Sequence, residues 1–269
     1  MKKRPTKIFL LIAGLIVLGV ISIALRTVTM LTAFDTKIGY YDNVAITRIN
    51  RIFSIATVLY GSVIILFTDK SSLPTPGMSQ TVISISFSLV AAFALVMSAV
   101  LVGIICLTEP TPLNFLMLIS LILSATYFVY RGLRRSDPTA SPMNLLALAP
   151  IICCFTIILT EMFNMYIPIN GPEKLCLTFA LMSAALFILE TAKSDAGSTS
   201  PRLLLFSAYV SCFLCGYSAV PGLIASLMNV TGYPKYIIYY FIVITMLLFI
   251  ASFLFDYVKV IRLNNTDEE

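Results

Sequence analysis

The chain has 269 residues, of which 59% are hydrophobic and 12% charged, with a mean hydropathy of +0.96 and a net charge of +5. An average soluble domain carries about twice that charged fraction, roughly 25%, so a soluble globular enzyme is excluded. The chain contains no histidine, which removes His-based triads, His metal sites and imidazole proton relays, and no Walker A run, so it carries no P-loop ATPase of its own.

A helix needs about 20 apolar residues to cross the hydrocarbon core. Eight runs qualify or come close: Ile8–Leu25, Ile52–Phe67, Val82–Leu107, Leu113–Tyr130, Met143–Thr160, Leu175–Ala192, Leu203–Asn229 and Ile237–Val258. The expected fold is therefore an all-α integral membrane protein, one polytopic bundle of about eight transmembrane helices. The first run follows Met1-Lys-Lys-Arg-Pro-Thr-Lys7 and resembles a secretory signal. Its apolar core is longer than usual and no clean A-x-A site follows, so an uncleaved first helix is preferred. The second run is short. Arg48 and Arg51 at its start could lengthen it by snorkelling.

Between the first two runs, Arg26 to Arg51 reads as an outer loop. Its stretch Phe34-Asp35-Thr36-Lys37-Ile38-Gly39-Tyr40-Tyr41 places two apolar or aromatic segments around a glycine-containing turn, the pattern of a short β-hairpin. Such a hairpin is marginal alone and would rest on the outer ends of the bundle. It would serve as a packed connector or as a docking surface. The other loops are short, and residues 263–269 read as an irregular cytoplasmic tail.

Lysine and arginine set the orientation. With residues 1–7 inside, twelve fall in inner segments, chiefly at Lys2–Lys7 and Arg131–Arg135. Six fall outside: Arg26, Lys37, Arg48, Arg51, Lys174 and Lys235. Both termini are then cytoplasmic, in the plasma membrane. The basic residues flank apolar runs, which argues for lipid rather than nucleic acid as the partner.

In lipid, close approach of small residues and weak hydrogen bonds decide helix association. Ser207, Ser211, Cys215, Ala219, Gly222 and Ser226 recur at three- and four-residue steps in the seventh run and form one small-residue stripe. Ser84, Ser88, Ala92 and, on a neighbouring face, Ala91, Ala94 and Ser98 do the same in the third. Both read as packing faces, the alternative being the lining of a polar cavity. Pro221-Gly222 in the seventh run and Pro150 in the fifth predict kinks.

Acidic residues near the membrane are Glu109, Glu161, Glu190 and Asp256. Glu109, Glu190 and Asp256 lie near span ends, where they are expected to reach water. Glu161 is the sharpest candidate, because intramembrane charge is costly and often functional. If the fifth helix continues to Ile167, Glu161 and Asn164 share a face, and Arg26, Arg48 or Arg51 could pair with Glu161. An outward-facing ligand site built from Glu161, Asn164, Tyr166 and the Pro221 break follows. The six cysteines read as small buried residues. Cys212 and Cys215 have C-x-x-C spacing but sit deep in an apolar helix, where redox chemistry is disfavoured.

Three functions are weighed. The first is a permease-like or small-solute-binding subunit, with no cofactor or metal. The second is a non-catalytic scaffold or accessory protein binding another membrane protein, or a second copy of itself. The third is an intramembrane enzyme, which would need a cluster of catalytic polar residues that the chain does not display. No stretch of the sequence identifies a family.

Overall fold

The computed structural model describes residues 5–35, 40–41, 44–68, 73, 82–133, 142–163, 171–228 and 235–266. Among them are eight helices long and apolar enough to cross a membrane. They are Pro5–Ala33 (α1), Val44–Leu66 (α2), Val82–Thr108 (α3), Pro112–Leu133 (α4), Leu148–Phe163 (α5), Pro172–Asp195 (α6), Pro201–Leu227 (α7) and Lys235–Thr266 (α8).

Helices α3 to α8 pack in chain order, and α8 returns against α3 to close a ring. Helices α1 and α2 pack on each other and on α7. The ring is filled by edge-on aromatic contacts. Phe128 of α4 meets Phe249 of α8 at 4.8 Å between centroids, and Phe187 of α6 meets Phe253 of α8 at 5.1 Å. These apolar rings bring area and geometry with no polar atom to satisfy.

Helix α7 is the hub, touching α1, α2, α6 and α8. Of its spanning window 67% is buried, against 22% for α1 and for α2. The residues of its small stripe are all buried. The Ser211 hydroxyl donates to the Ser183 carbonyl of α6 at 2.5 Å, and the Cys215 thiol lies 3.6 Å from the Ala180 carbonyl. On the opposite side, Tyr209 donates to the Thr57 carbonyl of α2 at 2.9 Å. Two glycines accept tyrosine rings against bare backbone: a Cβ on Gly222 would fall within the Tyr240 ring, and one on Gly61 within the Tyr209 ring. The stripe of α3, from Ser84 to Ser98, is buried as well.

Most hydroxyls are satisfied inside their own helices. Thr29 donates to Leu25, Ser98 to Ala94 and Thr156 to Ile152, each to the carbonyl four residues back. Water is absent from the hydrocarbon core, so polar groups there must bond internally.

Several boundaries differ from the sequence expectation. Arg26–Arg51 is not one loop: α1 runs to Ala33 and α2 starts at Val44. A charge inside α1 is tolerated because Arg26 finds a carboxylate partner, described below. Between the two helices, Phe34–Asp35 (β1) and Tyr40–Tyr41 (β2) pair antiparallel, Phe34 opposite Tyr41. The turn at 36–39, on which the hairpin expectation rests, lies outside the described residues. Pro150 sits in the first turn of α5, after a 3-10 turn at Pro142–Ala147. There its missing N–H has little cost, so the expected break within the fifth helix is not needed. Helix α8 extends to Thr266, so the tail expected from residue 263 begins as helix. Glu190 and Asp256 are buried rather than open to water, while Glu109 is exposed. Glu190 is satisfied by Lys193 Nζ at 2.8 Å and Thr199 Oγ1 at 2.6 Å. At the same end of the bundle Arg131 pairs with Asp195, and Arg202 Nε donates to the Thr68 carbonyl at 2.8 Å.

Candidate ligand-binding site

Helix α6 opens on Pro172, which fits the first helical position because its lost N–H is one that the helix cannot use. The helix therefore begins three residues before the apolar run at Leu175, and Glu173 enters its first turn. A carboxylate is favoured there by the helix dipole. Arg26 of α1 reaches across and donates from Nη2 to Glu173 Oε1 at 2.9 Å, with both side chains nine-tenths buried or more. The Arg26 guanidinium also lies over the Tyr217 ring of α7, 4.6 Å from its centroid, a cation–π contact strengthened by the burial of Arg26.

The short strands complete this cluster. Phe34 and Tyr41 meet edge to face at 5.6 Å, which folds Tyr41 back over the helix ends. The Tyr41 hydroxyl donates to the same Glu173 oxygen as Arg26. Burial, and then the Glu173 carboxylate, push the Tyr41 phenol above its ordinary range, so it stays protonated and acts as a donor. The Tyr240 hydroxyl of α8 lies 3.5 Å from the other Glu173 oxygen. Three elements, α1, β2 and α8, thus converge on one buried carboxylate of α6.

Beside this network lies a cavity of about 550 Å³. Its walls follow helical spacing, so each helix contributes one face. Helix α2 supplies Thr47, Asn50, Arg51, Ser54, Ile55, Val58 and Leu59; α6 supplies Leu175, Cys176 and Phe179; α7 supplies Phe213, Leu214 and Tyr217. Helices α2 and α6 both pack on α7, and the cavity is the trough between them. Ile55 and Phe179 on its walls are 60% and 55% exposed, so the trough opens on the outer wall of the bundle. It is polar at one end, from Thr47 to Ser54, and apolar from Ile55 onward.

At the polar end two buried groups lack hydrogen-bond partners among the described residues. Arg26 is 2% exposed and its Nε finds no acceptor; Asn50 is 4% exposed and its Oδ1 finds no donor. Unsatisfied buried polar groups are rare and each asks for a cause. Both line the cavity. These two side chains, with Arg51, are the groups that could hold a ligand.

The residues named from sequence are distributed differently. Glu161 is buried near the end of α5, within electrostatic reach of Tyr239 and Tyr240. Arg26, considered above as its partner, pairs with Glu173 instead. Asn164 and Tyr166 lie outside the described residues, because α5 is described only to Phe163. Pro221 is buried inside α7 and lines no part of the cavity. It bears on the site indirectly, since it cannot donate to the carbonyl of Tyr217 four residues before it. Sequence reasoning passed over Glu173, Tyr41 and Asn50. The available signal was the run Thr47, Asn50, Arg51, Ser54 at three- and four-residue steps, a polar helical face at the head of an apolar one. All six cysteines are free. Set against known protein families, curated proteins and solved structures, the chain matches none.

Proposed function

We propose that this chain is a permease-like, small-solute-binding membrane protein without its own ATPase, and that its ligand occupies the trough between α2, α6 and α7. The observation that carries this reading is the pair of unpartnered buried groups, Arg26 Nε and Asn50 Oδ1, at the polar end of an otherwise apolar cavity. A ligand that bonds to both would remove the desolvation cost each now bears, about 1–3 kcal/mol per group. The volume falls within the roughly 300–1,000 Å³ common for small-molecule sites. Native mass spectrometry on the full chain, gently released from its own membrane, tests the reading. A small bound mass is expected on the wild type and is lost in Val58→Trp, whose indole fills the trough. A bare wild-type chain, or the same mass on the variant, refutes it.

The proposed setting is the plasma membrane with both termini cytoplasmic, which follows from the twelve-to-six bias of Lys and Arg. The largest outer concentration of charge is reduced because Arg26 is neutralised by Glu173. In this orientation the Arg26–Glu173 end faces outward. A reporter fused after Glu269 is expected to read cytoplasmic; an external reading reverses the orientation.

A further inference from the structure

Resting on the binding role proposed above, we infer the class of ligand: an anionic amphiphile, with a phosphate or carboxylate at Arg26 and Arg51, a hydroxyl of the same head at Asn50, and an apolar chain along Val58, Leu59 and Phe179. Charge points to the head. The cavity wall carries two guanidinium groups and no carboxylate; Glu173 neutralises Arg26 from behind it, so the net positive charge rests on Arg51. Arg26 donates to Glu173 and lies in hydrogen-bond contact with Cys176, while its buried Nε has no acceptor among the described residues. Arg51 makes no ion pair among the described residues. Both arginines line the trough with Cys176, Arg26 from its buried side and Arg51 from its exposed side. Paired arginines are suited to oxyanions, because each presents a rigid fork of donors to two acceptor oxygens. The unpartnered Asn50 Oδ1 is an acceptor and fits a hydroxyl donor on the remainder of such a head.

Depth and shape point to the chain. Arg26 lies seven residues before the end of α1 at Ala33, and Arg51 seven residues after the start of α2 at Val44. Each is about 10 Å along its helix at 1.5 Å per residue, so both charges sit at one level. A level about two turns inside the helix ends suits a headgroup, since amphipathic groups rest roughly 5–10 Å into the boundary of headgroups and acyl chains. Beyond this level the walls are apolar, and their outer edges at Ile55, Leu59, Leu175 and Phe179 are exposed. An amphiphile could therefore enter sideways from the bilayer, with its head meeting the arginines and its tail never leaving apolar surroundings. A free anion would leave most of the trough unfilled.

The test uses the full chain, stripped of lipid and reconstituted in nanodiscs with equal palmitoyl-oleoyl phosphatidylglycerol and phosphatidylcholine. The chains are identical and the headgroups differ in net charge. Retained lipid is read by native mass spectrometry. Phosphatidylglycerol is expected to be retained about tenfold over phosphatidylcholine, as one charge-assisted hydrogen bond supplies. In Arg51→Gln the ratio falls toward one while lipid is still retained. In Arg48→Gln, where an arginine outside the cavity is removed, the ratio holds. Equal retention of both lipids by the wild type overturns the anionic head, as does an equal effect of Arg48→Gln. Displacement of phosphatidylglycerol by inorganic phosphate at matched concentration overturns the amphiphile in favour of a free anion. These results leave the binding role standing. Retention of neither lipid above the level of Val58→Trp overturns that role as well.

Discussion

Arg26→Met is expected to destabilise the bundle by about 3–5 kcal/mol, the range for removing one partner of a buried ion pair. The loss does not measure the attraction between the partners. It comes from leaving the Glu173 carboxylate, 7% exposed, without a cation. Tyr41 and Tyr240 remain near it, but two phenols cannot neutralise it. The double variant Arg26→Met with Glu173→Gln is therefore expected to recover most of the loss, because neither partner then buries a charge. Equilibrium unfolding in mixed detergent and SDS micelles reads both. If the double variant is as unstable as the single one, the cost lies elsewhere, in the packing of Arg26 on Tyr217.

Gly222→Leu is expected to cost about 2–3 kcal/mol, near the upper end for overpacking. The Tyr240 ring occupies the space that any side chain at 222 would need. Tyr240 is buried and is also placed beside Glu173, so any shift of its ring alters that contact. The same substitution thus disturbs both the α7–α8 contact and the carboxylate network. Ile104→Ala, at a position 56% exposed on α3, is the comparison and is expected to stay within about 0.5 kcal/mol. Folded yield by size exclusion and the midpoint of thermal unfolding should separate the two variants. Equal values would remove the close α7–α8 approach from the account.

Eight apolar segments were legible because hydropathy is a local property: each span declares itself within its own 20 residues or so. The site was less legible, and for an opposite reason. Arg26 and Glu173 are 147 residues apart in sequence, and a charge read locally marks the end of a span. By that logic Arg26 closed the first helix at Leu25, whereas α1 continues to Ala33. Glu173 fell just outside the sixth run, whereas Pro172 starts α6 before it. Each charge is tolerated only because the other is there, and that pairing is visible only in the packed bundle. Glu161, by contrast, stood out because its apolar context surrounds it on both sides. Asn50 and Arg51 had a readable helical face, hidden by the assignment of the whole 26–51 segment to a loop.

Arg26 Nε and Asn50 Oδ1 are buried beside the trough with no partner among the described residues, which leaves both for a ligand to satisfy. A cryo-electron microscopy reconstruction of the full chain in native-lipid nanodiscs, with a bound antibody fragment to align the particles, addresses this most directly. The account predicts continuous non-protein density in the trough between α2, α6 and α7, within hydrogen-bonding distance of both Arg26 and Asn50. A trough with no such density, or one closed by α2 moving onto α6 so that the two side chains bond each other, would contradict it.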